Sequence, residues 1–122
     1  MITGVGQLAL VFKDVPGAVT FYRETLGLKF LFAAGPNLAF FNCGGVMLMF
    51  THAERPEFDH PNNLVYFNVP DIQAAHAALA AKGVKFESAP HVVARLPAYD
   101  LWLAEFRDPE NNVLALRSEV PR

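Results

Sequence analysis

The chain has 122 residues, 52% of them hydrophobic, 18% charged, with eleven Phe and a formal charge of −2. That size is one domain with a real core, and the apolar content excludes a disordered chain. Lys and Arg are scattered singly, so no basic stripe awaits a nucleic acid, and no apolar run is long enough to span a bilayer. The Met1-Ile2-Thr3-Gly4 start carries no secretion signal, which predicts a cytoplasmic location. A single cysteine, Cys43, excludes an internal disulfide framework and a cysteine-based zinc site.

In chain order, Gln7 to Phe12 is short and apolar, as a strand requires. Asp14 is placed to cap a helix, Pro16 fits its first turn, and Ala18, Phe21, Tyr22 and Leu26 recur at helical spacing. Gly27 suits the left-handed turn that ends it. Strands are expected at Leu28–Phe32, Leu38–Asn42 and Val46–Phe50, the last two joined by Gly44-Gly45. After a linker come a strand at Leu64–Val69 and a helix capped by Asp71 that runs through Ala81. Extended segments follow at Val84–Phe86, Val92–Leu96, Leu101–Arg107 and Val113–Arg117. Asn111 stands where the last turn wants a positive φ.

The chain also repeats itself. Gly27-Leu28-Lys29-Phe30 and Gly83-Val84-Lys85-Phe86 lie 56 residues apart (27 to 83), and Asp14 and Asp71 lie 57 apart (14 to 71). The expected organisation of residues 1–122 is a single domain of two βαβββ modules, about 4–51 and 62–117, with a linker at about 52–61. This repeat, with Phe21-Tyr22…Leu26-Gly27-Leu28 and Asp108-Pro109-Glu110-Asn111-Asn112, resembles the vicinal oxygen chelate superfamily over roughly residues 4 to 117. Glyoxalase I, extradiol dioxygenases and the bleomycin and fosfomycin resistance proteins belong to that group. The resemblance implies an α+β fold whose mixed sheets curl into an open barrel around a cavity, usually in a homodimer.

It also implies a divalent metal, held by the first and fourth strands of each module. The first ligand, typically His, lies seven residues before the helix-capping Asp, and those positions are Gln7 and Leu64. The last, typically Glu, lies seven residues after the Asp of the Asp-Pro turn, which is Ala115; laying Gly45-Val46 on Asn112-Val113 makes Leu48 its partner. Three of the four carry no donor atom, and a lone amide is a poor transition-metal ligand, so no metal or other cofactor is expected. His52 and His60 flank an acidic linker, and His91 precedes a strand; with Glu105 they are the side chains left for an unusual metal site.

Strand alternation from the former metal positions gives the expected cavity lining. It comprises Gln7, Ala9 and Val11; Val46, Leu48 and Phe50; Leu64, Tyr66 and Asn68; and Val113, Ala115 and Arg117. Apolar walls with Gln7, Tyr66, Asn68 and Arg117 as polar fixtures suit a small molecule. Arg95 is a candidate partner for a ligand carboxylate or phosphate, and Trp102 either stacks on a ring or packs with Ala104 and Phe106. Glu105, alone in an apolar strand, points into the cavity as an acid/base group or out to water. No Ser or Cys sits in a nucleophile elbow, and no Gly-rich phosphate loop is present.

Three functions compete. The first is a metal-free protein binding an aromatic or amphipathic ligand in the cavity. The second is a glyoxalase- or dioxygenase-like lyase, isomerase or oxygenase with an atypical metal site. The third is a homodimer whose cavity is filled by its own side chains. Whether the chain is catalytic stays open at this point.

Overall fold

The computed structural model describes residues 1–122 and divides into two compact units, Met1–Asn62 and Asn63–Arg122. The first unit runs β1 (Gln7–Val11), α1 (Val15–Thr20), β2 (Lys29–Ala33), β3 (Leu38–Cys43) and β4 (Val46–Thr51). The second repeats the order with β5 (Val65–Asn68), α2 (Ile72–Ala81), β6 (His91–Arg95), β7 (Tyr99–Arg107) and β8 (Val113–Pro121). Each forms an open, four-stranded mixed sheet, ordered β1-β4-β3-β2 and β5-β8-β7-β6. The first strand of each pairs in parallel with the last, and the other pairings are antiparallel. This is the βαβββ repeat expected from the spacing.

The helices start where their caps dictate. Asp14 accepts the Gly17 amide at 3.0 Å, and Asp71 accepts the Ala74 amide at 3.1 Å, each satisfying a donor that the first turn leaves unpaired. The first helix does not stay α-helical to its end. Residues Phe21–Thr25 form a π-helical turn, with the Leu26 amide bonded to the Phe21 carbonyl at 3.0 Å. Gly27, at φ 76°, then turns the chain into β2.

In each sheet one face lies against its helix, and the core forms there. In the first unit Phe12, Tyr22, Phe41 and Phe50 are buried and meet ring to ring at 4.6–5.7 Å. Such aromatic pairs contribute about 0.5–1.5 kcal/mol each beyond their burial. In the second unit Ile72, Ala104, Phe106, Leu114 and Leu116 fill the same role.

The second unit departs from the expected elements in three ways. Val84–Phe86 forms no strand: only a single bridge joins Phe86 to Phe106, because the Glu87-Ser88 bend, followed by Pro90, interrupts the ladder until His91. The next two strands begin earlier than expected, at His91 and Tyr99. β8 continues past Arg117 to Pro121, paired throughout with β7. The linker holds a short 3₁₀ turn at Pro56–Phe58. No helix is long and apolar enough to cross a membrane.

Candidate functional site

The faces turned away from the helices hold most of the expected lining residues, and register assigns their side chains. In the first unit Gln7 lies opposite Met47, Ala9 opposite Met49, and Phe40 opposite Met49 on its other side. Phe32 pairs with Phe40, and their rings stack at 4.8 Å. The Gln7 amide donates to the Met49 sulfur at 3.6 Å. This face is therefore an amide, two thioethers and two stacked rings on an otherwise aliphatic surface.

That register corrects the expected lining. Leu48 and Phe50 are 2% and 0% exposed, and Phe50 packs on Tyr22 of the helix, so both lie on the covered face. Val46 alternates with them onto the same face. Met47, Met49 and Thr51 take the places beside Gln7, Ala9 and Val11. The slip has a physical cause. The paired residues Asn42 and Met47 enclose four residues (43–46), whereas their counterparts Arg107 and Val113 enclose five (108–112). Met49, rather than Leu48, is thus the first-unit counterpart of Ala115.

In the second unit Tyr66 lies opposite Ala115, which lies opposite Glu105, and Asn68 lies opposite Arg117, which lies opposite Leu103. Leu64, 49% exposed, alternates onto the face of Tyr66. The expected residues Leu64, Tyr66, Asn68, Ala115, Arg117 and Glu105 therefore share one face. Arg117 donates to Asn68 Oδ1 at 3.1 Å and to Glu119 Oε2 at 2.8 Å. The Glu119 hydrogen bond raises the guanidinium above its ordinary value, against an opposing desolvation, while the Glu119 charge and Tyr99 reinforce the rise. Asn68, Val69, Pro70, Arg117 and Glu119 line an open hollow of about 400 Å³. Glu119 was beyond the expected end of the last strand, although the alternation Val113, Ala115, Arg117 continues to it.

Other expected residues lie elsewhere. Trp102 alternates onto the face of buried Ala104 and Phe106, opposite buried Ser118, and so leaves the set beside Glu105. Arg95 is exposed and already bonded to Asp100 at 2.8 Å. The His60 ring contacts the Pro61 carbonyl at 2.9 Å, His91 contacts that of Ala89 at 2.9 Å, and His76 lies on the Phe86 ring at 4.2 Å. His52 joins the Asn37 carbonyl through its backbone amide. No three His, Cys, Asp or Glu side chains come together as a metal-binding group.

The model of the Glyoxalase/Bleomycin resistance protein/Dioxygenase superfamily matches residues 4–116. The chain belongs to this superfamily. Solved structures agree in fold, as three of them illustrate. Lactoylglutathione lyase from Agrobacterium tumefaciens is similar with a TM-score of 0.76 and 22% identity, covering 96% of this chain and 94% of that one. A superfamily member from Sphaerobacter thermophilus has a TM-score of 0.76 and 23% identity, covering 97% and 98%. TnmS3, an antibiotic binding protein from a Streptomyces species, has a TM-score of 0.77 and 21% identity, covering 97% of each chain. Among curated proteins, no sequence matches this chain.

The metal of catalytic glyoxalase-superfamily proteins does not fit the residues present. At the implied ligand positions stand Gln7, Met49, Leu64 and Ala115. The Gln7 amide already points its N–H at the Met49 sulfur, and Leu64 and Ala115 offer only hydrocarbon. Hard or borderline divalent ions need carboxylate, imidazole or thiolate donors, and this superfamily member supplies none of them there.

Proposed function

We propose that this glyoxalase-superfamily protein binds a small aromatic or amphipathic molecule on the helix-free sheet faces, without a metal. One observation carries the reading: the four implied ligand positions hold an amide, a thioether and two hydrocarbon side chains, so the Lewis-acid machinery has no donor set. What replaces it is suited to binding. Each face is suited by itself: that of the first unit offers adaptable apolar contact through Phe32, Phe40, Met47 and Met49, and that of the second offers Tyr66 with the polar groups of Asn68, Glu105 and Arg117. The antibiotic-binding description of TnmS3, which shares the fold, favours the same reading. Exposed Leu8 is consistent with a homodimer, which the proposal includes together with a cytoplasmic location.

Elemental analysis of the purified protein, repeated after incubation with Ni, Zn, Mn and Fe, is paired with a thermal-shift screen of small aromatic compounds. The expected result is far less than one ion per chain and a rise in melting temperature with some aromatic ligands. A ligand at one hundred times its Kd adds about 2.7 kcal/mol of stability. One ion per chain or per dimer, or a screen in which nothing shifts the melt, overturns the proposal.

A further inference from the structure

Resting on that reading, we infer that Glu105 and Tyr66 form a subsite for a protonated amine carried by the ligand. The charges on the helix-free face of the second unit lead there. Glu87 bonds its backbone amide to the Glu105 carbonyl at 2.8 Å, which places the two residues side by side across strands. With Glu119, the face holds three carboxylates, the guanidiniums of Arg107 and Arg117, and exposed Lys85, whose carbonyl accepts the Arg107 amide at 3.3 Å. Both guanidiniums are committed: Arg107 to Glu87 and to the Asn111 carbonyl, Arg117 to Glu119 and Asn68. Glu105 is the carboxylate that makes no ion pair and no side-chain hydrogen bond, Lys85 lying diagonally across from it beside Arg107. It is also half-buried, with Leu103 and Arg107 on either side along its own strand and Ala115 and Glu87 across from it.

A half-buried carboxylate with no partner of its own is stabilised by a cation brought to it. Tyr66 supplies a second attraction for the same cation. It stands in the same row across Ala115, with its Cα about 10 Å from that of Glu105, two strand spacings away. Its side chain belongs to a residue 48% exposed. Ala115 is the smallest side chain of the row and is fully covered, so a cation shared by Glu105 and Tyr66 sits at the outer ends of those two side chains, above Ala115. An ammonium group between a carboxylate and a phenol ring is held by a charge-assisted hydrogen bond and a cation–π contact.

The subsite also bears on the superfamily's usual chemistry. Ala115 stands where a metal-binding carboxylate is implied, and Glu105 presents a carboxylate to the same face one strand away. With only hydrocarbon at Leu64 and Ala115, that carboxylate serves an organic cation in place of an inorganic one.

The test uses three probes of one shape: 2-phenylethylamine, 2-phenylethanol and phenylacetate. Binding is followed by titration calorimetry and by amide chemical shifts. The amine is expected to bind about tenfold more tightly than the alcohol, and phenylacetate most weakly. Glu105→Gln, which preserves shape, should weaken the amine about tenfold and leave the alcohol unchanged. Tyr66→Leu should weaken the amine by a smaller factor. Equal affinity for amine and alcohol, or an amine indifferent to Glu105→Gln, overturns the subsite while leaving small-molecule binding intact. If none of the three probes binds, the subsite and the binding reading fall together.

Discussion

The two units share one backbone plan and differ in what they hang on it. The first builds its core from four rings and turns a face of amide, thioether and phenyl groups away from its helix. The second builds its core mostly from aliphatic side chains and puts three carboxylates, two guanidiniums and the Lys85 ammonium on the corresponding face. Their turns diverge as well. Between β3 and β4 the chain turns through Gly44 and Gly45, both at positive φ, with Asn42 accepting the Gly45 amide at 2.8 Å. Between β7 and β8, buried Asp108 accepts from the Glu110 and Asn112 amides and from the Asn112 side chain, and Asn111 takes φ 67°. The shared plan thus rests on helix caps and alternation, which tolerate many side chains. The faces are free to diverge because no backbone requirement constrains them.

Several substitutions probe that contrast. The largest effect is expected in the aromatic core: Phe50→Ala removes a fully buried ring that touches Phe12, Tyr22 and Phe41, at a cost of about 3–5 kcal/mol in urea unfolding. Leu116→Ala, at the matching place in the second unit, should cost less; an equal or larger loss would show that the rings are not the stronger of the two cores. Next come the turns. Asp108→Ala strips acceptors from buried donors and should cost about 2 kcal/mol, against about 1 kcal/mol for Asn42→Ala, both read from thermal melts. Equal costs would mean that the longer turn gains nothing from its carboxylate. The smallest effect concerns Cys43 at the end of β3. Burial pushes its thiol up from the ordinary value, so less thiolate is present near neutral pH. Reaction with a disulfide reagent should be slower in the folded protein than in urea and should accelerate as pH rises. The second unit contains no thiol, so this probe reports on the first unit alone.

Much of the architecture was legible in residue spacing. Asp14 and Asp71 cap the helices they were expected to cap, Gly27 and Asn111 take positive φ, and the repeat gives each unit its strand order. Three features escaped because they depend on where hydrogen-bonded partners fall. The one-residue difference between the turns moved Leu48 and Phe50 to the covered face and brought Met49 beside Gln7. The Glu87-Ser88 bend reduced an expected strand to one bridge. Arg95 proved to be paired through the β6–β7 hairpin, a contact that sequence pattern does not encode. Of the site, alternation correctly grouped Tyr66, Asn68, Ala115 and Arg117, while Glu105 needed the register with Ala115 to acquire a direction.

Asn62 closes the first unit in a way that bears on behaviour in crowded solution. Its side chain accepts the Val11 amide at 2.8 Å and donates to the Val11 carbonyl at 2.9 Å, the two bonds a neighbouring strand would make. β1 is an edge strand, and an unpaired edge is a template on which a second chain can grow. One amide at the end of the linker imitates that second chain and occupies its last rung. The strand edge is thereby shortened without a proline or a charge, and resistance to strand-to-strand association is written into a residue that belongs to neither sheet.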